Sequence, residues 1–155
     1  MVNFILITKY RLFLLKTLKL ARIIALDYGR KRTGIAVTDE LQLIASGLAT
    51  VPTHELLGFL KKFVAHEKVA CFIVGEPKQM NNTPSEAEIF ITPFLSRLKK
   101  VFPKIPIERQ DERFTSKMAV QTMIASGLKK KKRRDKALID EISATIILQA
   151  YLNRK

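Results

Sequence analysis

The residues of this chain best suited to chemistry are carboxylates at the ends of apolar runs. In "RIIALDYGRKRTGIAVTD" (residues 22–39) Asp27 closes a stretch that reads as a buried strand, and Gly29 with the cations Arg30, Lys31 and Arg32 follows at once. Glu76 stands one glycine beyond "CFIV", Asp111 and Glu112 close "IERQ", and Asp140 and Glu141 lie in the last periodic stretch. Other chemistries have little to work with. The two histidines, His54 and His66, share one helical segment, and the single cysteine, Cys71, sits inside the apolar run "VACFIVG". A lone buried thiol behaves as a small hydrophobe, and no Ser/His or Cys/His arrangement is spaced for a nucleophile.

Carboxylates gathered in one place repel each other unless a cation stands among them. Mg²⁺ or Mn²⁺, hard cations that take oxygen ligands, answer that need. Two such ions ~4 Å apart activate a water and stabilise the leaving oxygen of a phosphodiester. The cations after Asp27 would then hold a phosphate backbone across the ions, with Gly29 allowing its close approach. Each residue also has a plainer reading: Asp27 as a turn former, Asp111 as a helix cap, Glu76 as a loop acid, Asp140 and Glu141 as a solvated helix face. Those readings leave the joint placement unexplained.

The elements that must position these acids follow from hydrophobic period and breaks. Arg22–Asp27, Thr33–Thr38 and Leu43–Val51 read as three strands separated by short Gly- or Asp-bearing breaks, hence an antiparallel meander. Thr53 is placed to cap a helix from His54 to about Glu67. Val69–Val74 is a fourth strand, apolar on both faces. Thr83-Pro84 with Glu86 matches a capping box for a helix running to Val101, with a kink expected at Pro93. Ile105–Arg109 is a short fifth strand, Phe114–Ser126 a helix ending at Gly127, and Lys136–Leu152 the last helix. The order βββ-α-β-α-β-α-α predicts an α/β protein with a five-stranded mixed sheet, the first three strands antiparallel and the later ones parallel, flanked by helices on both faces. In such sheets sites gather at the carboxyl ends of the central strands, where Asp27, Glu76 and Asp111 or Glu112 converge.

At 155 residues the chain is one domain by length, and 47% apolar with 27% charged residues is ordinary for a globular protein. The charge balance is not: 28 Lys and Arg against 14 acids give +14, which favours polyanions as partners. Much of the excess lies in "KKKKRRDK" (residues 129–136) and in residues 1–20, which hold four cations and no acid. Those first twenty residues are too interrupted by charge for a signal peptide or a membrane span, and their cations spread around a helical wheel. They read as an N-terminal extension, with residues 21–155 as the domain. The one cysteine fits a reducing cytoplasm.

The stretches "IIALDYGRKRTGIAVTD", "FIVGEPKQMNNT", "ERQDERFTS" and "KKRRDKALIDEISATIILQAYL", in that order over residues 21–153, resemble the YqgF family of Holliday-junction resolvases, also described as pre-16S rRNA nucleases, within the ribonuclease H-like superfamily. The resemblance implies a ribonuclease H-like fold and a metal-dependent nuclease of the cytoplasm. By motif it implies that Asp27, Glu112 and Asp140 are the catalytic acids and hold Mg²⁺ or Mn²⁺, with two ions in the site and Glu76 and Asp111 as candidate further ligands. Arg30, Lys31, Arg32 and Arg113 would then grip phosphates beside the cut, and Lys129, Lys130, Lys131, Lys132, Arg133 and Arg134 would form an arm ordered on substrate.

The leading expectation is an endonuclease trimming the 5′ end of precursor 16S rRNA, with structured RNA or a ribosome precursor as partner. The rival is a resolvase of four-way DNA junctions, which must cut two strands symmetrically and so calls for a stable two-fold dimer. No heptad or long apolar edge announces one, so a monomer or weak dimer is expected. A non-catalytic nucleic-acid binder would need the basic segments but not the acids. A membrane-surface role would rest on residues 1–20 alone and is not expected.

Overall fold

A computed structural model describes residues 5–11, 13, 21–113 and 115–155. Part of the expected N-terminal extension (1–4, 12 and 14–20) lies outside the described residues, as does Phe114; residues 5–11 are helical, with Ile5, Leu6, Ile7 and Tyr10 exposed. The elements are β1 (Arg22–Tyr28), β2 (Arg32–Thr38), β3 (Ala45–Pro52), a 3₁₀ turn (Thr53–Glu55), α1 (Leu56–His66), β4 (Val69–Glu76), α2 (Glu88–Val101), β5 (Ile107–Asp111), α3 (Thr115–Ala125), a second 3₁₀ turn (Lys132–Arg134) and α4 (Lys136–Arg154). The five strands form one sheet in the order β3-β2-β1-β4-β5. β1 pairs antiparallel with β2, and β2 with β3, while β4 runs parallel to both β1 and β5. The meander and the parallel half match the sequence expectation.

Strand alternation splits the core into two layers. Ile24 and Leu26 of β1, Ile35 of β2, and Phe72 and Val74 of β4 face α1 and α2, packing on Leu56, Leu60, Ile91, Phe94 and Leu98. On the other face Ile23, Ala25, Ala36, Cys71 and Ile73 meet α4 through Ala144, Ile147, Leu148 and Tyr151. Small side chains at part of this contact, Ala25, Ala36 and Cys71 on the sheet and Ala144 on the helix, let α4 lie close to the sheet. Its buried positions recur at helical spacing through Ser143, Ala144, Ile147, Leu148 and Tyr151, and Asp140 extends that stripe by one turn. α3 packs on α4 through Thr115, Ala119 and Met123.

The structure corrects several element ends. Thr53 does not cap α1. Its hydroxyl donates to the Gly29 carbonyl (2.6 Å) and its N–H donates to the Lys31 carbonyl (3.0 Å), so it ties down the β1–β2 turn instead. Thr83 and Pro84 start no helix: the Thr83 hydroxyl donates to Asn81 Oδ1, Pro84 bridges to Lys78, and α2 begins at Glu88. α2 continues through Pro93, which forgoes the bond to the Ile89 carbonyl. β5 starts two residues later than expected and reaches Asp111. α4 is capped by Asp135, whose carboxylate accepts from the N–H groups of Ala137 and Leu138.

Candidate active site

β1 is the middle strand, and Asp27 sits at its carboxyl end on the face that meets α4. Both flanking strands put a glycine on that face beside it. Gly34 is the cross-strand partner of Asp27; Gly75 lies one residue beyond the last β1–β4 pair, Leu26 with Val74. A Cβ on Gly34 would run into the backbone carbonyl of Asp140, and a Cβ on Gly75 into the carboxylate of Glu112. The two glycines clear the space in which α4 and the end of β5 approach Asp27. Sequence reasoning missed both, although a lone glycine within a strand pattern is the available signal for such an approach.

The carboxyl groups of Asp27 and Glu112 lie near enough to act on each other's ionisation. Burial, the Asp27 charge and the proton it donates to Asp27 push Glu112 up to about 9. Burial first, then the nearby negative charge of Asp140, raises Asp27 to about 6, the bond from Glu112 opposing the rise. At neutral pH the pair therefore holds one proton between two carboxyl groups. Arg109 stands behind them: its guanidinium donates to the carbonyls of Val74 (3.2 Å) and Gly75 (2.9 Å) and pairs with Glu88 at 2.6 Å, fixing the ends of β4 and β5. The buried Thr115 hydroxyl donates to the Glu112 carbonyl at 2.6 Å, holding the turn that carries the acid.

Asp140 comes to the same face, so it is not the solvated helix position that its surroundings in sequence allow. Its carboxylate accepts from Arg32 Nε at 2.9 Å. Among the described residues no group of three or more His, Cys, Asp or Glu side chains is set to hold a metal ion as it stands. Oxygen donors crowded together, with a third acid across from them, are the donor type that a hard divalent ion would take, and in this structure Asp140 is paired with Arg32 instead.

The remaining sequence candidates separate. Glu76 pairs with Lys78 at 3.3 Å. Asp111 is clasped by Arg113, Nε to Oδ2 at 2.9 Å and Nη2 to Oδ2 at 2.7 Å. Burial would raise Asp111, but the Arg113 hydrogen bonds and charge, with Lys78, hold it below the ordinary carboxylate range. Both acids are thus paired with cations in this structure, and Arg113 also donates to Asn82 Oδ1. Arg32 is likewise paired with Asp140. Gly29 is explained by its own turn, since a Cβ there would meet the Arg32 carbonyl. Arg30 and Lys31 are exposed at that turn. Of the basic run, Lys132–Arg134 form a 3₁₀ turn leading into α4. Lys129, Lys130, Lys131, Lys132 and Arg134 are exposed, while Arg133 Nε is buried with no hydrogen-bond partner. Cys71 is buried beside Glu108, and burial pushes its thiol up to about 11, which removes it from nucleophilic chemistry.

A sheet in this order, with acids at the carboxyl end of its central strand facing a C-terminal helix, has the ribonuclease H-like architecture. RuvC of Thermus thermophilus, solved with a Holliday junction substrate, superposes with a TM-score of 0.52 at 17% identity, over 86% of this chain and 96% of that one. Residues 21–154 match the family described as "RuvX: Holliday junction resolvase", and this protein belongs to that family. Among its relatives, a protein of Christiangramia forsetii is 66% identical over 133 residues, 86% of this chain and 98% of the relative. One of Bacteroides thetaiotaomicron is 63% identical over 136 residues, 88% and 99%. Both carry the name "Putative pre-16S rRNA nuclease". No helix among the described residues is long and apolar enough to cross a membrane.

Proposed function

We propose that this protein is an endonuclease that hydrolyses phosphodiester bonds of structured RNA, and that its substrate is the 5′ end of precursor 16S rRNA. The observation that carries this reading is the Asp27–Glu112 carboxyl pair, with Asp140 facing it, in a chain that matches a nuclease family from residue 21 to 154. The names of the curated relatives support ribosomal RNA as the substrate. The family description favours a second reading, a resolvase of four-way DNA junctions with the same acids.

In this reading Asp27, Glu112 and Asp140 would hold divalent ions, Mg²⁺ or Mn²⁺. The ions supply the positive charge that activates water and neutralises the departing oxygen of a phosphodiester. Asp27, central and flanked by two glycines, reaches both sides of the site. To serve as a ligand Glu112 would first have to lose its proton to solvent. For Asp140 to serve there it would have to leave Arg32, whose guanidinium could then meet a phosphate oxygen of the strand. Arg30, Lys31 and the run from Lys129 to Arg134 supply sequence-independent backbone contacts, so affinity falls steeply with salt. Residues 1–20 are an extension outside this unit, which accords with the family match beginning at residue 21. The protein works in the cytoplasm as a monomer or weak dimer; the resolvase reading needs a stable two-fold dimer.

The deciding experiment gives one preparation both a precursor 16S rRNA fragment and a four-way DNA junction, with Mg²⁺ or Mn²⁺, alongside Asp27→Asn. Cleavage of the RNA alone, abolished in Asp27→Asn while RNA binding persists, supports the proposal. Symmetric junction cleavage by a dimer, with the RNA left intact, overturns the rRNA assignment. Cleavage undiminished in Asp27→Asn overturns the site.

A further inference from the structure

The β1–β2 turn straddles the sheet edge. Arg32, at its far end, reaches the acid face and meets Asp140. Arg30 and Lys31 lie instead on a cleft of about 500 Å³ on the opposite face, between the turn, α1 and α2, within the size range of small-ligand sites, roughly 300–1,000 Å³. Tyr28 and Phe94 line it, their rings stacked at 4.3 Å and 21°; Phe94 is buried and Tyr28 is partly exposed, so a supported aromatic surface is on offer. Arg97 of α2 closes the far wall, and no carboxylate lines the cleft. Lys78, Arg113 and Arg32 are all spoken for by acids, whereas among the described residues Arg30, Lys31 and Arg97 have no carboxylate partner. The turn is held in place: Thr53 anchors it at the Gly29 and Lys31 carbonyls, and Arg30 lies over the Phe90 ring at 5.0 Å.

We propose that this cleft binds one nucleotide of a polynucleotide strand, with the phosphate between Lys31, Arg30 and Arg97 and the base against Tyr28. Uncompensated cations around a backed aromatic ring are the combination that holds single-stranded nucleic acid without reading its sequence. Tyr28 directly follows Asp27 in β1, and their side chains point to opposite faces. A strand crossing the end of β1 therefore passes from the acid site into the cleft, so that the substrate wraps over the sheet edge. This inference rests on the nuclease reading above for its direction, but the cleft and its charge do not depend on cleavage.

Arg97 tests it, being exposed on α2 and outside the acid site. Binding of fluorescently labelled single-stranded RNA and DNA to the full chain is followed by anisotropy over a range of salt, with thermal melts confirming the fold of each variant. Arg97→Ala should weaken binding of both and make the slope of log K against log salt shallower by about one; Arg97→Glu should weaken it more than tenfold. On a cleaved substrate KM should rise and kcat stay within about twofold. Inorganic phosphate and a mononucleotide serve as competitors, and each should displace the strand only weakly. Parental affinity and salt slope in both variants overturn the cleft as a strand site while leaving the acid site standing. Displacement by inorganic phosphate at the same concentration as by the polynucleotide also overturns it, because the cleft would then hold free phosphate. If the parent cleaves nothing yet Arg97→Glu still loses nucleic-acid affinity, the cleft stands and the nuclease reading fails.

Discussion

Adding a single methyl group at Gly34 separates the geometric core of this account from its chemistry. An ideal Cβ there lands well inside van der Waals contact of the Asp140 carbonyl and 3.0 Å from the Glu141 nitrogen. Both are backbone atoms of α4, so no side-chain rotation relieves the clash. Ordinary carbon contacts need ~3.5 Å or more, and α4 must therefore move away from β2 by about 1 Å at this turn. Overpacking of this kind costs ~1–3 kcal/mol. At about 2–4 °C per kcal/mol for a domain of this size, Gly34→Ala should melt roughly 2–12 °C below the parent. The same shift carries Asp140 away from Asp27 and Glu112. Sites tolerate misplacement of only ~0.5 Å, and about 1 Å costs on the order of a hundredfold in rate. Thermal melts and single-turnover cleavage of the same preparations measure both effects. A Gly34→Ala protein with parental melting temperature and parental rate would refute the claim that close approach of α4 builds the site.

The acid pair makes stability depend on pH in a stated direction. Because Glu112 is raised from 4.5 to about 9, the folded, metal-free state holds a proton that the unfolded chain releases, so this contribution is present below about pH 4.5 and is lost as pH rises through about 9. Each tenfold change in proton affinity is about 1.4 kcal/mol. Glu112→Gln should therefore melt higher than the parent at pH 8–9 in chelator and equal to it near pH 4.5, while losing cleavage; a lower melting temperature at pH 8 would contradict the shared proton. Mg²⁺ should raise the melting temperature of the parent at pH 8 and leave Glu112→Gln nearly unmoved, as read by differential scanning fluorimetry. Asp111→Asn should keep divalent-ion binding and lose less than about tenfold in kcat, since Arg113 already neutralises that carboxylate; a loss as deep as that of Asp27→Asn would return Asp111 to the site.

The sequence carried the frame further than it carried the details of the site. Strand order and the convergence of Asp27 and Glu112 follow from alternation, breaks and the rule that sites lie at carboxyl ends, all of which are properties of the backbone. Which acid does what depends on side-chain partners that spacing does not reveal. Asp111 and Glu112 are adjacent, yet one folds onto Arg113 and the other onto Asp27. Glu76 ends its strand in the right place but meets Lys78 first. Thr53 and Thr83 have the residue types of helix caps, but the Gly29 carbonyl, distant in sequence, takes the hydroxyl of the first and Asn81, two residues back in the same loop, that of the second. Asp140 was legible only through family resemblance, although its place on the stripe of Ala144, Ile147 and Tyr151 could have turned it toward the sheet by periodicity alone. Gly34 and Gly75 are hard to read from sequence because an approach between distant segments leaves no trace beyond an absent side chain.

Titration of metal-free protein with Mn²⁺, followed by the loss of the free-ion electron paramagnetic resonance signal, asks directly whether these acids form a cation site. Parent protein should take up the ion at neutral pH, and Asp27→Asn, with its fold intact by circular dichroism, should lose at least tenfold in affinity and all metal-stimulated cleavage. Uptake and cleavage unchanged in Asp27→Asn would contradict the assignment of hydrolysis to Asp27, Glu112 and Asp140.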